Sequence, residues 1–410
     1  MWASSMLRKT FGVDVHRDLI VVTKLGEEGK ETRSFGVDFE ALHRCINWLR
    51  LDGCMDGAME STGIYWVPIY TTLREAGFNI CVANAYQVKA IPGRKSDVKD
   101  SEWLAYLLRA ELIKPSYIPD RNHQDLRTLT RLRTRLAETE TDFKNRAHKV
   151  LQLCNIRLAS KLSDLFGESG LRILEALLNN GGVDGAINAS DRRIQAKAEE
   201  IKASIMGTLN ETDIFELKII LENIKLLQTQ IQQVDERIST LADRNLVDKL
   251  SKIPGVAPTS AYTFIAEIAD PNRFENQKKV GGWSGLAPSR YQTARRDRHG
   301  HVTKRGSSWL RRIATQSAKA ASKSKSKLAQ SYNRIAGRRG KAIATVALAR
   351  QIVTIAWDTI KTGREYSEEH YAKKTKYRIK HGKAEKYNLN QTSRILSQAT
   401  RIINPNTSCW

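Results

Sequence analysis

Between residues 10 and 120 the apolar positions run first in short strand-like stretches and then at helical spacing. Residues 11–15, 19–25 and 32–37 read as a three-strand meander. Phe39–Leu51 reads as a helix, with Leu42, Ile46 and Leu49 three or four residues apart. Asp56–Glu60 closes a second apolar stretch and reads as a strand end. Residues 65–76 predict a helix, 80–83 a strand, and 101–111 a further helix with Leu104, Leu107 and Leu108 inward. Pro115 and Pro119 end the unit. Three consecutive strands followed by βα units suit a mixed sheet with helices on its faces.

The strand signal then disappears. Leu129, Leu136, Phe143 and Val150 recur every seven residues and predict one long helix over 122–160. Residues 163–210 hold short helical patches broken by Asn179-Asn180-Gly181-Gly182, and their arrangement is not legible. Leu217, Ile224, Ile231 and Ile238 occupy one heptad position, and Ile220, Leu227, Val234 and Leu241 the other. This predicts a coiled coil, formed either with another subunit or back onto 122–160, since the pattern does not choose the partner. The bland alternative is a long helix packed on its own domain.

From residue 250 a mainly helical domain begins. Residues 250–253, then Pro254-Gly255-Val256, then a helix over 258–268 resemble a helix-hairpin-helix, whose glycine turn lets backbone N–H groups approach a phosphate; a plain helix–turn–helix is the alternative. Residues 307–322 and 341–361 read as amphipathic helices. The expected organisation is an α/β domain over 8–120, a helical coiled-coil region over 121–248, a mainly α domain over 249–366, and a polar, basic tail over 367–410 that orders on nucleic acid.

Charge sharpens this picture. The chain of 410 residues carries a net charge of +23, and residues 281–410 hold 28 Lys and Arg against 6 Asp and Glu, a net of +22. Such a segment has nucleic acid as its default partner, because binding releases condensed counterions; a solvated basic tail is the alternative. No uninterrupted apolar run approaches the roughly 20 residues of a membrane span, and residues 1–6 lack a secretory apolar core. Five cysteines, none in a CxxC spacing, fit a reducing cytoplasm and exclude the usual structural zinc pattern. A cytoplasmic, nucleoid-associated protein is expected.

Four acids carry the candidate chemistry. Asp14 sits inside the apolar run Phe11-Gly12-Val13-Asp14-Val15, where a charge is costly unless compensated. Glu60 ends the second apolar stretch. Asp97 and Asp100 are three apart at a helix start and share a face. A strand Asp, an acid on a neighbouring strand and a helical Asp pair mark an RNase H-like nuclease core, in which divalent metal serves phosphoryl transfer. Each acid has a plainer reading: Asp14 as a turn-proximal polar residue, Glu60 as a helix cap, Asp97 and Asp100 as surface partners of Arg94, Lys95 and Lys99.

A second candidate region starts at Gly285-Leu286-Ala287-Pro288-Ser289-Arg290-Tyr291-Gln292-Thr293. Arg295, Arg296, Arg298, His299 and His301 follow, and Thr303-Lys304-Arg305-Gly306 opens a helix bearing Trp309, Arg311 and Arg312. A helix N-terminus behind an arginine-dense loop is a phosphate site. The hydroxyls of Ser289, Thr293, Thr303, Ser307 and Ser308 there serve as hydrogen-bond donors or, if activated, as a nucleophile.

These motifs resemble the DEDD transposases of the insertion-sequence 110 family, which include the pilin-gene invertases and the bridge-RNA-guided recombinases. The resemblance covers about residues 10–365. It rests on Gly12-Val13-Asp14-Val15, Met59-Glu60-Ser61-Thr62-Gly63, and Lys95-Ser96-Asp97 with Lys99-Asp100. It continues in Ile253-Pro254-Gly255-Val256, Gly285-Leu286-Ala287-Pro288, and Thr303-Lys304-Arg305-Gly306 through Leu310-Arg311-Arg312. The resemblance implies a RuvC-like domain whose acids Asp14, Glu60, Asp97 and Asp100 bind Mg²⁺. It also implies a transposase domain with a nucleophilic serine that links covalently to DNA. A homodimer or homotetramer is implied, with a composite site from domains of different subunits and a noncoding guide RNA that selects donor and target DNA. Here Thr293 stands where that serine is expected, followed by Ala294 rather than Gly. Either Thr293 attacks, or Ser289 takes over, or activity is impaired, because the threonine methyl crowds in-line attack. Arg290, Arg295, Arg296, Arg298, Lys304, Arg305, Arg311 and Arg312 are the expected nucleic-acid contacts. The rivals are a hydrolytic junction nuclease and a non-catalytic nucleic-acid-binding derivative.

Overall fold

The computed structural model describes residues 9–61, 63–84, 88, 91, 100–179, 182–293, 296–304 and 306–369. The chain divides into two compact units, Met1–Pro119 and Asp120–Trp410.

The first unit is built on one mixed sheet. Its strands are β1 (Thr10–Val15), β2 (Leu19–Gly26), β3 (Gly29–Gly36), β4 (Asp56–Glu60) and β5 (Asn79–Ala83), in the spatial order β3-β2-β1-β4-β5. β1, β2 and β3 pair antiparallel, whereas β4 joins β1 and β5 joins β4 in parallel. The helices are α1 (Phe39–Leu51), α2 (Trp66–Glu75) and α3 (Asp100–Arg109). Asp38 caps α1 by accepting from the Ala41 N–H at 2.8 Å, an arrangement an aspartate side chain favours.

Strand alternation assigns the two faces. Phe11, Val13, Val22 and Met59 point into a core with Leu49, Trp48, Ile69, Leu73 and Phe78. Ala58 and Ala83 point the other way and pack with Leu104 and Leu107 of α3. Full burial of side chains such as Phe11, Met59 and Leu104 contributes roughly 1.5–3 kcal/mol each. Mixed pairing with helices on both faces is the architecture that the run of strands followed by βα units implied.

The second unit is mainly helical. It contains α4 (Arg121–Leu153), α5 (Glu168–Leu178), α6 (Val183–Asn188), α7 (Arg192–Gln195), α8 (Ala198–Ser204), α9 (Glu211–Leu241), α10 (Arg244–Ser251), α11 (Pro258–Ile268) and α12 (Gln277–Trp283). A hairpin of β6 (Pro288–Thr293) and β7 (Arg296–Val302) follows, then α13 (Ser308–Ala321), α14 (Lys327–Arg339) and α15 (Lys341–Thr362).

The heptad helix α9 runs along α4 of its own chain. Leu217, Ile220, Ile224 and other apolar residues of its first half share a core with Ala147, Val150, Ile173 and Leu174. Ile238 near its end shares another with Leu126, so the two helices are antiparallel. Between these cores Ile231 is only half-buried, and polar pairs link the two helices: Arg133 to Asp235 at 2.6 Å and Gln228 to Glu140 at 3.0 Å. The illegible stretch from 163 to 210 proves to be the short helices α5–α8, several of which cover that first core.

α10 and α11 are consecutive helices joined through Pro254-Gly255-Val256, and the glycine between them makes a close backbone approach. Gly255 has φ +83°, and a Cβ there would lie 2.2 Å from the Ser317 carbonyl oxygen and 2.5 Å from the Ala321 nitrogen. The missing side chain admits α13 rather than a phosphate. α15 is long and apolar enough by composition to resemble a membrane span, but half of that stretch is buried. Leu348, Ala349, Ile352, Val353 and Ala356 lie in the core with α13, and the Trp357 indole N–H donates to the Pro271 carbonyl at 2.8 Å. It is the central helix of this domain.

Candidate active site

The acids of the first unit are placed by strand register. β1 pairs with β4 so that Gly12 lies beside Ala58 and Val13 beside Met59. One step further in the same direction are Asp14 and Glu60. Directly paired residues of parallel strands share a face, and Ala58 is on the α3 face, so Asp14 and Glu60 are on that face too.

Gly12 brings the third acid in. A Cβ at Gly12 would lie 1.9 Å from the Ser101 carbonyl oxygen and 2.7 Å from the Ala105 nitrogen. Only glycine lets the α3 backbone rest directly on β1. Two hydroxyl contacts fix the crossing: Thr10 Oγ1 donates to the Ala105 carbonyl at 3.1 Å, and Thr23 Oγ1 lies 2.8 Å from Ser101 Oγ. Asp100, the first residue of α3, thereby sits at the carboxyl end of β1 beside Asp14.

The Asp14 carboxyl registers this crowding. Its pKa is raised above the ordinary aspartate value, mainly by burial, and the charges of Asp100 and Glu60 push it further. His16, with Nε2 at 3.2 Å from Asp14 Oδ2, opposes the rise. His16 was not singled out from the sequence; its two-residue spacing from Asp14 on an outward-turning strand end was the available signal.

Among the described residues no group of three or more His, Cys, Asp or Glu side chains is placed to hold a metal ion. The donor set nevertheless fits a hard cation that retains water and phosphate ligands, because Mg²⁺ is usually held by only one or two carboxylates. Asp97, together with Lys95, Ser96 and Lys99, lies outside the described residues.

In the second unit the basic loop is a hairpin. Thr293 pairs with Arg296 as the last rung before the turn, Gln292 with Asp297, Tyr291 with Arg298, and Arg290 with His299. Thr293 is thus at the hairpin tip. Arg295 and Arg305 lie outside the described residues. The hydroxyl of Ser289 donates to the His301 carbonyl at 3.0 Å, so the alternative nucleophile is engaged across the ladder.

Below the hairpin the backbone is tightly held. Lys304 adopts φ +52°, and its N–H donates to the Gly285 carbonyl at 3.2 Å. Gly306 has φ +96°, and a Cβ there would lie 2.0 Å from the Trp283 carbonyl oxygen. Arg311 donates to the Gly306 carbonyl at 2.8 Å, and Ser307 caps α13 by accepting from Leu310 N–H at 3.2 Å. Arg312 is ion-paired with Glu138 of α4. Arg131 and Arg135 lie over the Trp309 ring at 5.8 and 5.9 Å, and Arg131 is anchored by the buried Glu267 at 2.8 Å.

Two family models match separate stretches of the chain, the first of them extending past Pro119 into the second unit. The family model of DEDD transposases of the IS110 type matches residues 11–156, and the model described as the transposase IS116/IS110/IS902 family matches residues 247–333. A "Probable family 20 transposase" of Pseudomonas aeruginosa is 23% identical over 84% of this chain and 91% of its own length. The transposase for insertion sequence element IS1111A of Coxiella burnetii is 22% identical over 85% of this chain and 88% of its own. The solved structure of T. thermophilus RuvC with a Holliday junction substrate aligns with 27% of this chain and 99% of its own, at 12% identity and a TM-score of 0.21, too slight a likeness to carry an argument.

These matches define the protein as a transposase, an enzyme whose partner is DNA. The chain belongs to the IS110 family of transposases.

Proposed function

We propose that this transposase cuts and rejoins DNA through a covalent protein–DNA intermediate, using the acids Asp14, Glu60, Asp97 and Asp100 together with the Thr293 hydroxyl. The observation that carries this reading is the register of β1 and β4, which sets Asp14 and Glu60 on the face where Gly12 admits the start of α3 and Asp100. Those carboxylates are the residues that would hold a divalent cation such as Mg²⁺, which would polarise the scissile phosphate and lower the pKa of an attacking oxygen.

The Thr293 oxygen forms a bond to phosphorus while one phosphorus–sugar oxygen bond breaks. The departing sugar oxygen takes the bonding pair, and a proton equivalent to the one lost by the hydroxyl returns to it. Rejoining is the reverse attack by a sugar hydroxyl of another strand. Arg290, Arg295, Arg296, Arg298 and Arg305 offset charge on the phosphate, with Lys304, Arg311 and Arg312 supporting the same loop. The tetrameric assembly, with acids and hydroxyl from different subunits, and the noncoding guide RNA are part of the same reading. The basic C-terminal third supports nucleic-acid binding of either kind.

The test is a denaturing gel of the protein with cognate DNA and Mg²⁺. A covalent adduct that disappears in Thr293→Ala and in Asp14→Asn is the expected result. Adduct formation in Thr293→Ala removes that residue as nucleophile. A free 5′-phosphate without any adduct establishes hydrolysis instead.

A further inference from the structure

From Arg298 to Trp357 the sequence contains fourteen Lys and Arg and no Asp or Glu. Within that stretch α14 is sharply two-faced. Leu328 and Ala329 are buried, and Tyr332 packs on the core. On the opposite side Lys327, Arg334 and Arg338 are exposed. At 3.6 residues per turn these three fall within about 20° of one line along the helix. With a rise of 1.5 Å per residue, the stripe is about 16 Å long.

We propose that this stripe of α14 is a docking surface for the phosphate backbone of duplex DNA, outside the site described above. Its spacing suits the partner. Lys327 and Arg334 are about 10 Å apart along the axis, and Arg334 and Arg338 about 6 Å. Duplex DNA carries one negative charge per about 1.7 Å of its axis, so a straight stripe about 16 Å long faces several phosphates.

The chemistry also narrows the partner. The stripe contains no large exposed apolar side chain, because the apolar face of α14 is turned into the core. It therefore lacks the wedge that holds an amphipathic helix on a membrane and the aromatic or aliphatic anchors of a protein interface. Its attraction is that of fixed positive charge alone. The nearby carboxylate of Glu368 accepts from the Lys327 backbone N–H at 3.1 Å, which places one negative charge at the N-terminus of α14 and leaves Arg334 and Arg338 beyond it. The Arg338 Nε–H donates to the Arg334 carbonyl at 3.3 Å, which restrains the guanidinium along the helix. The choice of DNA rests on the transposase assignment; the charge surface itself does not depend on the cutting chemistry.

The experiment is a salt titration of the full-length protein on a random 30-base-pair duplex in chelator, so that no cutting occurs. Each phosphate contact steepens the plot of log affinity against log salt by about 0.9. The triple variant Lys327→Ala, Arg334→Ala, Arg338→Ala is expected to flatten that slope by about 2.7 and to weaken binding at least tenfold at 0.1 M salt. Lys327→Arg, Arg334→Lys, Arg338→Lys retains the slope, and Lys149→Ala with Lys218→Ala, on exposed positions of α4 and α9, leaves it unchanged. Equal melting temperatures exclude misfolding. An unchanged slope in the alanine variant overturns the proposal. So does a loss confined to single-stranded or structured RNA while duplex binding stays intact. Cutting assays with metal report separately: an unchanged slope with adduct still formed rejects the stripe alone, and a flattened slope with no adduct in the parent protein rejects the recombination chemistry alone.

Discussion

The acid cluster of the sheet and the hairpin of the helical unit hold their chemistry in opposite ways. Asp14 and Glu60 follow directly on the β1–β4 parallel ladder, held by their pairings with Val21 and Ala83 in a sheet with cores on both sides, and Asp100 is fixed by a helix resting on Gly12. Moving Asp14 or Glu60 requires moving a strand, and moving Asp100 requires moving α3. Thr293 closes an antiparallel ladder at its free end, where only the turn follows. The rigid partner is anionic and carries strain in the form of like charges held together. The hairpin is cationic, and what is tightly packed there is its base, at Lys304 and Gly306. On the reading proposed above, the attacking hydroxyl belongs to the last rung of a two-strand ladder rather than to a strand held between two cores. Carboxylates that have to tolerate one another need a frame that prevents their separation.

If that contrast holds, function and stability respond differently in the two regions. Asp14→Asn gives the largest effect: cutting of cognate DNA falls by about a thousandfold, on the scale of losing a group that stabilises transition-state charge. The melting temperature of the variant at neutral pH stays equal to or above that of the parent, because a repelled, half-buried carboxylate has been removed. Cutting at near-parental rates would sink the role of this acid. Thr293→Ala comes next. It abolishes the covalent adduct, a loss of about a hundredfold or more by gel, while thermal unfolding is unchanged. Thr293→Ser restores the adduct at a rate equal to or above that of the parent, since the β-methyl no longer restricts χ1. An adduct that survives in the alanine variant but vanishes in Ser289→Ala transfers the role to Ser289.

Asp14 stood out because a charge among Phe11, Val13 and Val15 has few structural explanations, whereas the face it shares with Glu60 came only from the strand register. The long helices were legible from their heptads. That α9 lies on α4 was not, since a heptad specifies a seam and is silent on whose helix fills it. The β6–β7 hairpin was also missed. Arg296, Arg298, His299 and His301 suppress every hydrophobic alternation by which a strand is normally recognised, so the region read as a loop. Gly255 was legible as a turn glycine, but its neighbour α13 comes from about sixty residues further on, beyond the reach of a local pattern. The short helices between 168 and 204 take their places from a shared core rather than from their own periodicity.

Gly12→Ala tests the frame itself. Its Cβ would meet backbone atoms of α3, which have no rotamer by which to give way, so the helix must shift. Overpacking of this kind costs about 1–3 kcal/mol, read as a drop in melting temperature, with DNA cutting reduced as Asp100 moves away from Asp14. Gly26→Ala, where nothing lies within 4 Å of the added atom, is the matched control and leaves both quantities close to parental. Equal behaviour of the two variants would remove the close approach of α3 as the device that gathers the acids.

The smallest effect is one of pH, and its sign follows from the same crowding. The folded-state pKa of Asp14 is raised above its unfolded value. Protonated Asp14 therefore favours the fold: its contribution is fully present below the unfolded pKa and is lost as pH rises through the raised folded value. In the acid range just above the ordinary aspartate pKa, Asp14→Asn and the parent should accordingly differ less in melting temperature than they do at pH 7, the gap opening as the parent's carboxyl ionises. His16→Ala removes the neighbour whose interaction opposes the rise and extends the window to higher pH. Adding millimolar Mg²⁺ at pH 7 should then close the gap in the parent and leave the asparagine variant nearly unaffected, because only the parent retains the full set of repelling charges to be neutralised. A melting temperature that ignores both pH and Mg²⁺ in the parent would mean that the carboxylates, although brought to one face, do not act on one another strongly enough to gather a cation.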